Sequence, residues 1–333
     1  MAQARAIDPA TLAAPRRAAG RGWLAARSEK RANKVAVTAA THRVTFPEQR
    51  LPYLLLLPQL LVLAWFFFWP AAQAVYQAFT ITDAFGGNTQ FVWFENFTRL
   101  LDSPEYHLSL WVTLIFSAGV TAVSLGFGLL FALAADRVIR GSQAYRVLLI
   151  WPYAVAPAIA GALWIFMLNP SSGIVAHAIR TLGLYWQPDL NATHAMLLVV
   201  LAAAWKQVAY NFIFFLAGMQ SIPKNVIEAA AIDGAGPIRR VWTIVLPLLS
   251  PTLFFLIVVN IVYAFFETFG VISVTTHGGP GDSTSILVYK VFIDGFVGLD
   301  YGASSAQSMI IMLIVIGLTV VQFRCIERRV HYA

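Results

Sequence analysis

Residues 51–76 read LPYLLLLPQLLVLAWFFFWPAAQAVY and contain no Asp, Glu, Lys or Arg. A helix needs roughly 20 consecutive apolar residues to cross the hydrocarbon core of a membrane, so this stretch predicts a transmembrane helix. The whole chain follows the same trend, since 59% of its 333 residues are hydrophobic and 12% are charged. Soluble domains average roughly 45–50% and 25%. This composition excludes a water-soluble enzyme and a disordered chain, and it leaves lipid as the solvent.

Five further stretches are apolar and long enough to cross the membrane. They are residues 108–135, 147–168, 195–219, 246–272 and 306–323. The only charged residues inside the six stretches are Lys206 in the fourth and Glu267 near the end of the fifth. The sequence therefore predicts an all-α polytopic membrane protein with six transmembrane helices.

The Lys and Arg residues predict the orientation of these spans, because cytoplasmic segments of membrane proteins carry an excess of them. Ten of the 23 precede residue 51, and three lie in each of the segments 136–146, 220–245 and 324–333. The segments on the other side carry one each, namely Arg99, Arg180 and Lys290. Both termini are therefore expected in the cytoplasm, and the net charge of +7 reflects topology rather than affinity for nucleic acid.

Residues 1–49 form a basic cytoplasmic tail ahead of a transmembrane domain over residues 50–333. The tail lacks the apolar run of a secretory signal peptide. It is expected either to lie near anionic lipid, where each Lys or Arg adds about 1 kcal/mol, or to be a disordered leader rich in Ala and Arg. Cys325 is the single cysteine, which excludes an intramolecular disulfide.

One cytoplasmic segment, residues 220–247, is more than a simple connector. It reads QSIPKNVIEAAAIDGAGPIRRVWTIVLP. Proline suits the first turn of a helix and glycine ends one, so the pattern predicts short helices over 226–233 and 238–245 with a turn between them. Apolar and small side chains lie among its charges. Such a surface fits equally a docking site for a partner protein and an amphipathic helix that lies on lipid.

The same segment resembles the EAA motif of binding-protein-dependent ABC importer permeases. The matching residues are Glu228, Ala229, Ala230, Gly234 and the run Ile244, Val245, Leu246 and Pro247. In that family the loop docks into a groove of the ATPase subunit. The resemblance implies that Glu228 pairs with a basic residue of the ATPase and that Gly234 forms the bend. Asp233, which precedes that glycine, is included in the predicted coupling site, and the two alanines would allow close approach.

The likeness covers most of residues 51–333 and is greatest to permeases of the sugar class, the maltose-permease-like group, and within it to those of sn-glycerol-3-phosphate importers. It implies the transmembrane domain of a type I ABC importer in a bacterial inner membrane. The implied partners are a second homologous permease, two ATPase subunits and a periplasmic solute-binding protein. ATP and Mg would be used by the ATPase, with no cofactor on this chain. The implied substrate is sn-glycerol-3-phosphate or a related glycerophospho compound, and the alternative is another sugar or oligosaccharide.

Polar residues inside the spans are costly and are therefore candidates for function. Span four carries Lys206, Tyr210 and Asn211, and span five carries Asn260, Tyr263 and Glu267 at helical spacing. These six residues are the predicted solute pathway, and hydrogen bonding between helices is the alternative. Ser117, Thr121, Ser124 and Gly128 in span two predict a close contact with another helix.

The sequence lacks the residues that several other classes of function require. No Gly-x-x-x-x-Gly-Lys-Ser/Thr sequence occurs, so the chain is not expected to bind nucleotide itself. The six histidines have no ligand spacing, and no set of acid, base or metal residues converges at one depth, which argues against a metal site and an intramembrane enzyme. An ion-coupled secondary transporter is the more distant alternative. It would require interrupted helices in two repeats, and it has no use for the loop at 220–247.

Overall fold

The computed structural model describes residues 51–82, 88–137 and 142–326, and the basic tail predicted over 1–49 lies outside them. The described chain is helical apart from connecting segments and one β-hairpin. It falls into two units, of which the first ends at Pro70 and the second begins at Ala71. In the first unit, helix α1 (Leu51–Leu63) continues through a π-helical turn (Ala64–Phe68). Its side chains from residue 53 to residue 69 are exposed and uncharged, which suits a helix whose solvent is lipid.

Fourteen further helices follow in the described chain. They are α2 (Trp69–Ala78), α3 (Glu95–Leu101), α4 (Pro104–Arg137), α5 (Ser142–Ile150), α6 (Pro157–Met167), α7 (Ile174–Thr181), α8 (Ala192–Ser221), α9 (Lys224–Ile232), α10 (Pro237–Arg240), α11 (Leu246–Leu248), α12 (Ser250–Phe266), α13 (Phe269–Thr275), α14 (Leu287–Phe292) and α15 (Tyr301–Ile326). Helices α4, α8 and α15 are each long and apolar enough to cross a membrane, and so is the stretch Tyr53–Ala78. These four confirm the first, second, fourth and sixth predicted spans.

The third predicted span is not one helix. The segments Ala144–Ala154 and Pro157–Met167 meet at an angle of 107°. Proline lacks the backbone N–H that would continue a helix, and it forces the preceding residue into an extended conformation. Ala156, which precedes Pro157, has that conformation, with ψ of 144°. The continuous helix predicted over 147–168 is therefore wrong, and its two halves are long and apolar enough to cross a membrane only when they are taken together.

The fifth predicted span, residues 246–272, is also divided. Segment Pro237–Leu248 meets helix α12 at 72°, and α12 ends at Phe266 before α13 begins. Pro251 lies in the first turn of α12, where it cannot donate the hydrogen bond that would join the two segments into a straight helix. The second predicted loop helix, 238–245, is likewise α10 followed by a π-helical turn (Val241–Val245). The described chain thus has six spans when each bent pair counts as one.

A small hairpin on the predicted outer side departs from the all-α expectation. Strands β1 (Thr80–Thr82) and β2 (Thr89–Phe91) pair antiparallel, with Ile81 opposite Gln90. Two of the cations on this predicted outer side form ion pairs within the chain. Arg99 contacts Asp300 at 2.7 Å, and Lys290 contacts Asp294 at 3.2 Å.

Helices α4 and α8 pack side by side in the centre of the second unit. Ser117 and Ser124 are buried, and a Cβ atom added to Gly128 would lie 2.7 Å from Cβ of Asn211. The close contact predicted for the small residues of span two is confirmed. Large apolar side chains, such as Phe116 and Phe212, are fully buried beside it.

Substitution Gly128→Ala should lower the stability of the folded protein, because the added methyl group would force the backbones of α4 and α8 apart. Overpacking of this kind costs about 1–3 kcal/mol. Gly126 is a matched control two residues away, since nothing lies within 4 Å of a Cβ atom there. We expect thermal unfolding in detergent to shift down for Gly128→Ala and to stay at the parental temperature for Gly126→Ala. Equal shifts for the two variants would contradict the close contact.

Candidate functional site

The segment that resembles the EAA motif forms helix α9, a tight turn and helix α10. Gly234 has a left-handed φ of +81°. Its N–H donates to the carbonyl of Ala231 (3.1 Å), and the N–H of Ala235 donates to the carbonyl of Ala230 (2.9 Å). These two bonds form a Schellman motif, which ends a helix and favours glycine at the residue with positive φ. The turn between the two loop helices therefore depends on this glycine.

The predicted coupling residues lie largely at the surface of this loop. Those that are exposed are Glu228, Ala229, Asp233, Gly234 and Pro247, and those that are half-buried are Ala230, Ile244 and Leu246. The other side of the loop is fixed in the core. Val245 is buried there with Phe215 and Leu249, and Ile227 packs against them. One side of the loop is thus packed into the core, and the other side is exposed.

Three large apolar side chains of the same loop are also exposed. We call them the loop patch: Ile232 is 87% exposed, Ile238 75% and Trp242 69%. Sequence reasoning expected apolar side chains among the charges of this loop but did not single out Ile232 or Trp242. The signal available was a large apolar residue beside charged neighbours in a cytoplasmic segment. Exposed apolar side chains among charges are typical of a surface that another molecule covers.

A cavity of about 340 Å³ lies between α8, α12 and the bend of the third span. Four of the six residues predicted for the solute pathway line it, namely Lys206, Tyr210, Tyr263 and Glu267. Tyr153 and Gln207 also line it, together with three valines of α12. Tyr153 was missed by sequence reasoning. It lies in a 3₁₀ turn (Trp151–Ala154) at a proline break, where no polar stripe marks it.

The cation in this cavity lies over the ring of one tyrosine. The Nζ of Lys206 lies 5.9 Å from the centroid of the Tyr153 ring, at the limit of a cation–π contact. The Tyr153 and Tyr210 rings are 5.5 Å apart, and the Tyr263 hydroxyl donates to the carbonyl of Ala203 (3.4 Å). In the part of the chain that the structure describes, no carboxylate oxygen lies within 4.0 Å of the Lys206 ammonium. The cavity can therefore offer a cation to an anionic group of a solute.

Asn211 and Asn260 lie elsewhere. Both are fully buried, and their side-chain amides bond to each other between α8 and α12. The structure therefore separates the six predicted pathway residues into four that line a cavity and two that join helices. Among the described residues, no group of three or more His, Cys, Asp or Glu side chains is placed to hold a metal ion.

The chain matches the family model "Binding-protein-dependent transport system inner membrane component" over residues 110–332. It is 59% identical over 290 residues to the sn-glycerol-3-phosphate transport system permease protein UgpA of Rhizobium meliloti (strain 1021). The aligned residues make up 87% of this chain and 99% of that protein. The protein of the same name from Yersinia pseudotuberculosis serotype I (strain IP32953) is 54% identical, with 85% and 96% covered.

Solved structures show the same fold. The chain superposes with a TM-score of 0.71 on a bacterial ABC transporter involved in the import of the acidic polysaccharide alginate, at 21% identity and with 84% of this chain and 95% of that chain covered. The alginate transporter in complex with its alginate pentasaccharide-bound periplasmic protein gives a TM-score of 0.69, with 82% and 93% covered at 21% identity.

These findings confirm the predicted fold class and the predicted family. The family match also argues against the ion-coupled transporter. The chain belongs to the binding-protein-dependent transport system inner membrane components, and it is a non-catalytic, multi-pass permease subunit of an ABC importer in the inner membrane.

Proposed function

We propose that this permease carries sn-glycerol-3-phosphate, or a related glycerophospho compound, across the inner membrane by ATP-driven alternating access. The observation that carries the proposal is the 54–59% identity, over nearly their whole length, to permeases named for that substrate. A second observation supports it. Lys206 places a cation in the cavity, and a phosphate ester is an anion whose oxygens accept charge-assisted hydrogen bonds.

The loop at 220–247 is proposed to be the contact with an ATPase subunit. Its exposed Glu228 would pair with a basic residue of that subunit, and the loop patch would be covered by the docking groove. The loop continues directly from α8 and leads through the 72° bend into α12. Closure of the ATPase subunits around ATP and Mg would thus move the two helices that line the cavity. The chain itself would bind no nucleotide.

In the cavity, Lys206 is proposed to attract the phosphate group while the tyrosine rings pack against the carbon atoms of the solute. Glu267 lies at the C-terminal end of α12 and lines the same cavity. Its carboxylate would repel an anion, so a bound phosphate is expected nearer to Lys206 than to Glu267. The complete importer would contain a second homologous permease, two ATPase subunits and a periplasmic binding protein. The alginate transporter, which has the same fold, is in complex with a periplasmic protein, and this supports the proposed binding-protein partner.

Reconstitution of the complete complex in lipid tests the substrate directly. With its binding protein present, sn-glycerol-3-phosphate should raise ATP hydrolysis about tenfold above the rate without solute, within the usual range of coupling between sites. Glycerol, which lacks the phosphate, is the matched control and should leave the rate unchanged. Stimulation by a neutral sugar or an oligosaccharide, with none by the phosphate ester, would contradict the proposed substrate and favour another importer of the same class.

A further inference from the structure

One buried side chain joins three membrane-spanning helices. Asn260 of α12 donates from Nδ2 to Oδ1 of Asn211 on α8 (2.8 Å) and to the carbonyl of Leu256 (2.7 Å). Its Oδ1 accepts from Nδ2 of Asn211 (3.2 Å) and from Oγ of Ser124 on α4 (2.7 Å). We call Ser124, Asn211 and Asn260 the three-helix network.

The network is fully buried, and the hydrogen-bonding groups of Asn260 are all paired. All three residues have 0% of their surface exposed. A carboxamide has two N–H donors and an oxygen with two lone pairs, and Asn260 uses all of them. Unpaired polar groups in such a place are costly, so the network favours a single arrangement of the three helices over others.

The position of the network suggests more than general cohesion between helices. Helices α8 and α12 are the two that flank the cytoplasmic loop, since α8 ends at Ser221 and α12 begins at Ser250. Asn211 follows Tyr210 directly, and Asn260 lies one helical turn before Tyr263. Both tyrosines line the cavity. The network therefore lies between the cytoplasmic loop and the cavity, and transport has to connect these two regions.

We propose that the three-helix network makes α4, α8 and α12 move as one body, so that displacement of the cytoplasmic loop reaches the cavity residues together. Asn260 and Asn211 are positioning residues in this role and do not touch the solute. The proposal rests on the ATPase-coupling role proposed above for the loop at 220–247. It adds the element that transmits the movement.

Removing the whole network at once separates this role from simple stability. A single Asn260→Leu variant leaves the buried Asn211 amide unpaired, and it is expected to be unstable. In the triple variant Ser124→Ala, Asn211→Leu, Asn260→Leu no polar group is left without a partner, which can be nearly neutral for stability. Thr275→Val is a matched control, because the buried Thr275 hydroxyl bonds only within its own helix.

The readout is the labelling rate of a cysteine in the cavity, which needs no knowledge of the substrate. Val262 lines the cavity and Cys325 is the single native cysteine, so Val262→Cys is introduced together with Cys325→Ser. The complete complex is reacted with a small methanethiosulfonate reagent, with and without ATP and vanadate. Thermal unfolding and ATP hydrolysis are measured on the same samples.

In the parent and in the Thr275→Val control, trapped nucleotide should change the labelling rate about tenfold. The triple variant should unfold near the parental temperature and still hydrolyse ATP, while nucleotide no longer changes its labelling rate. A stable triple variant with the parental nucleotide effect would overturn the proposal, and so would a triple variant that fails to fold, since the network would then serve stability. If trapped nucleotide does not change the labelling rate of the parent complex, the coupling role of the loop is refuted, and the inference with it.

Discussion

Uptake at background level is the expected result for the variant Gly234→Asp, with normal insertion of the protein into the membrane. Gly234 ends helix α9 at φ of +81°, a conformation that costs most residues with a Cβ atom about 1–2 kcal/mol and costs aspartate and asparagine less. The substitution also adds a negative charge beside the exposed Asp233 at the proposed ATPase contact. Insertion should be retained, because the glycine lies outside the spans and nothing lies within 4 Å of a Cβ atom there.

Two variants separate the possible causes of this loss. Gly236→Asp places the same charge two residues further on, where a Cβ atom also meets nothing and φ is −63°. It should keep most of the uptake. Gly234→Asn matches aspartate in shape and in its tolerance of a positive φ but lacks its charge, so intermediate uptake is expected. Uptake of radiolabelled substrate into cells and co-purification of the ATPase are the measurements. Parental transport by Gly234→Asp would contradict a coupling role for the turn.

The second large effect is expected for Lys206→Ala, which should reduce initial uptake at limiting substrate by about 10- to 100-fold. A hydrogen bond to a charged group contributes about 1.5–3 kcal/mol, which corresponds to that range. Lys206 rests against Tyr153 without a carboxylate partner among the described residues, so its charge is available to the solute. The loss should be seen at limiting substrate because binding of the anion is what weakens.

Lys206→Arg keeps the charge and should retain part of the activity, whereas its larger head group will fit the cavity less well. Arg180→Ala removes an exposed cation in the last turn of helix α7, outside the cavity and the loop at 220–247, and serves as a control for the loss of one cation. Initial rates in membrane vesicles, compared at equal amounts of inserted protein, are the measurement. Unchanged initial rates for Lys206→Ala would exclude this residue from the solute pathway.

The positions of the spans and their predicted orientation follow from the sequence alone. A membrane acts as a slab of apolar solvent, so the length of an apolar run and the side on which Lys and Arg accumulate are sufficient to predict both. The turn in the loop at 220–247 could also be predicted from the sequence, because it depends on local residues such as Gly234 and Pro237. The prolines at 152, 157 and 251 can be read from the sequence, but the bend angles of 107° in the third span and 72° in the fifth cannot.

The distribution of the polar residues depended on tertiary structure. Tyr210 and Asn211 are neighbours in the sequence, yet only the first lines the cavity. Asn211 is buried, where it bonds to Asn260 and packs against Gly128. Helical spacing tells which residues share a face of one helix, but not which neighbouring helix that face meets. Tyr153 reaches Lys206 only because the third span is bent. Contacts between helices depend on their rotation, crossing and bends, and these properties arise only when the helices pack together.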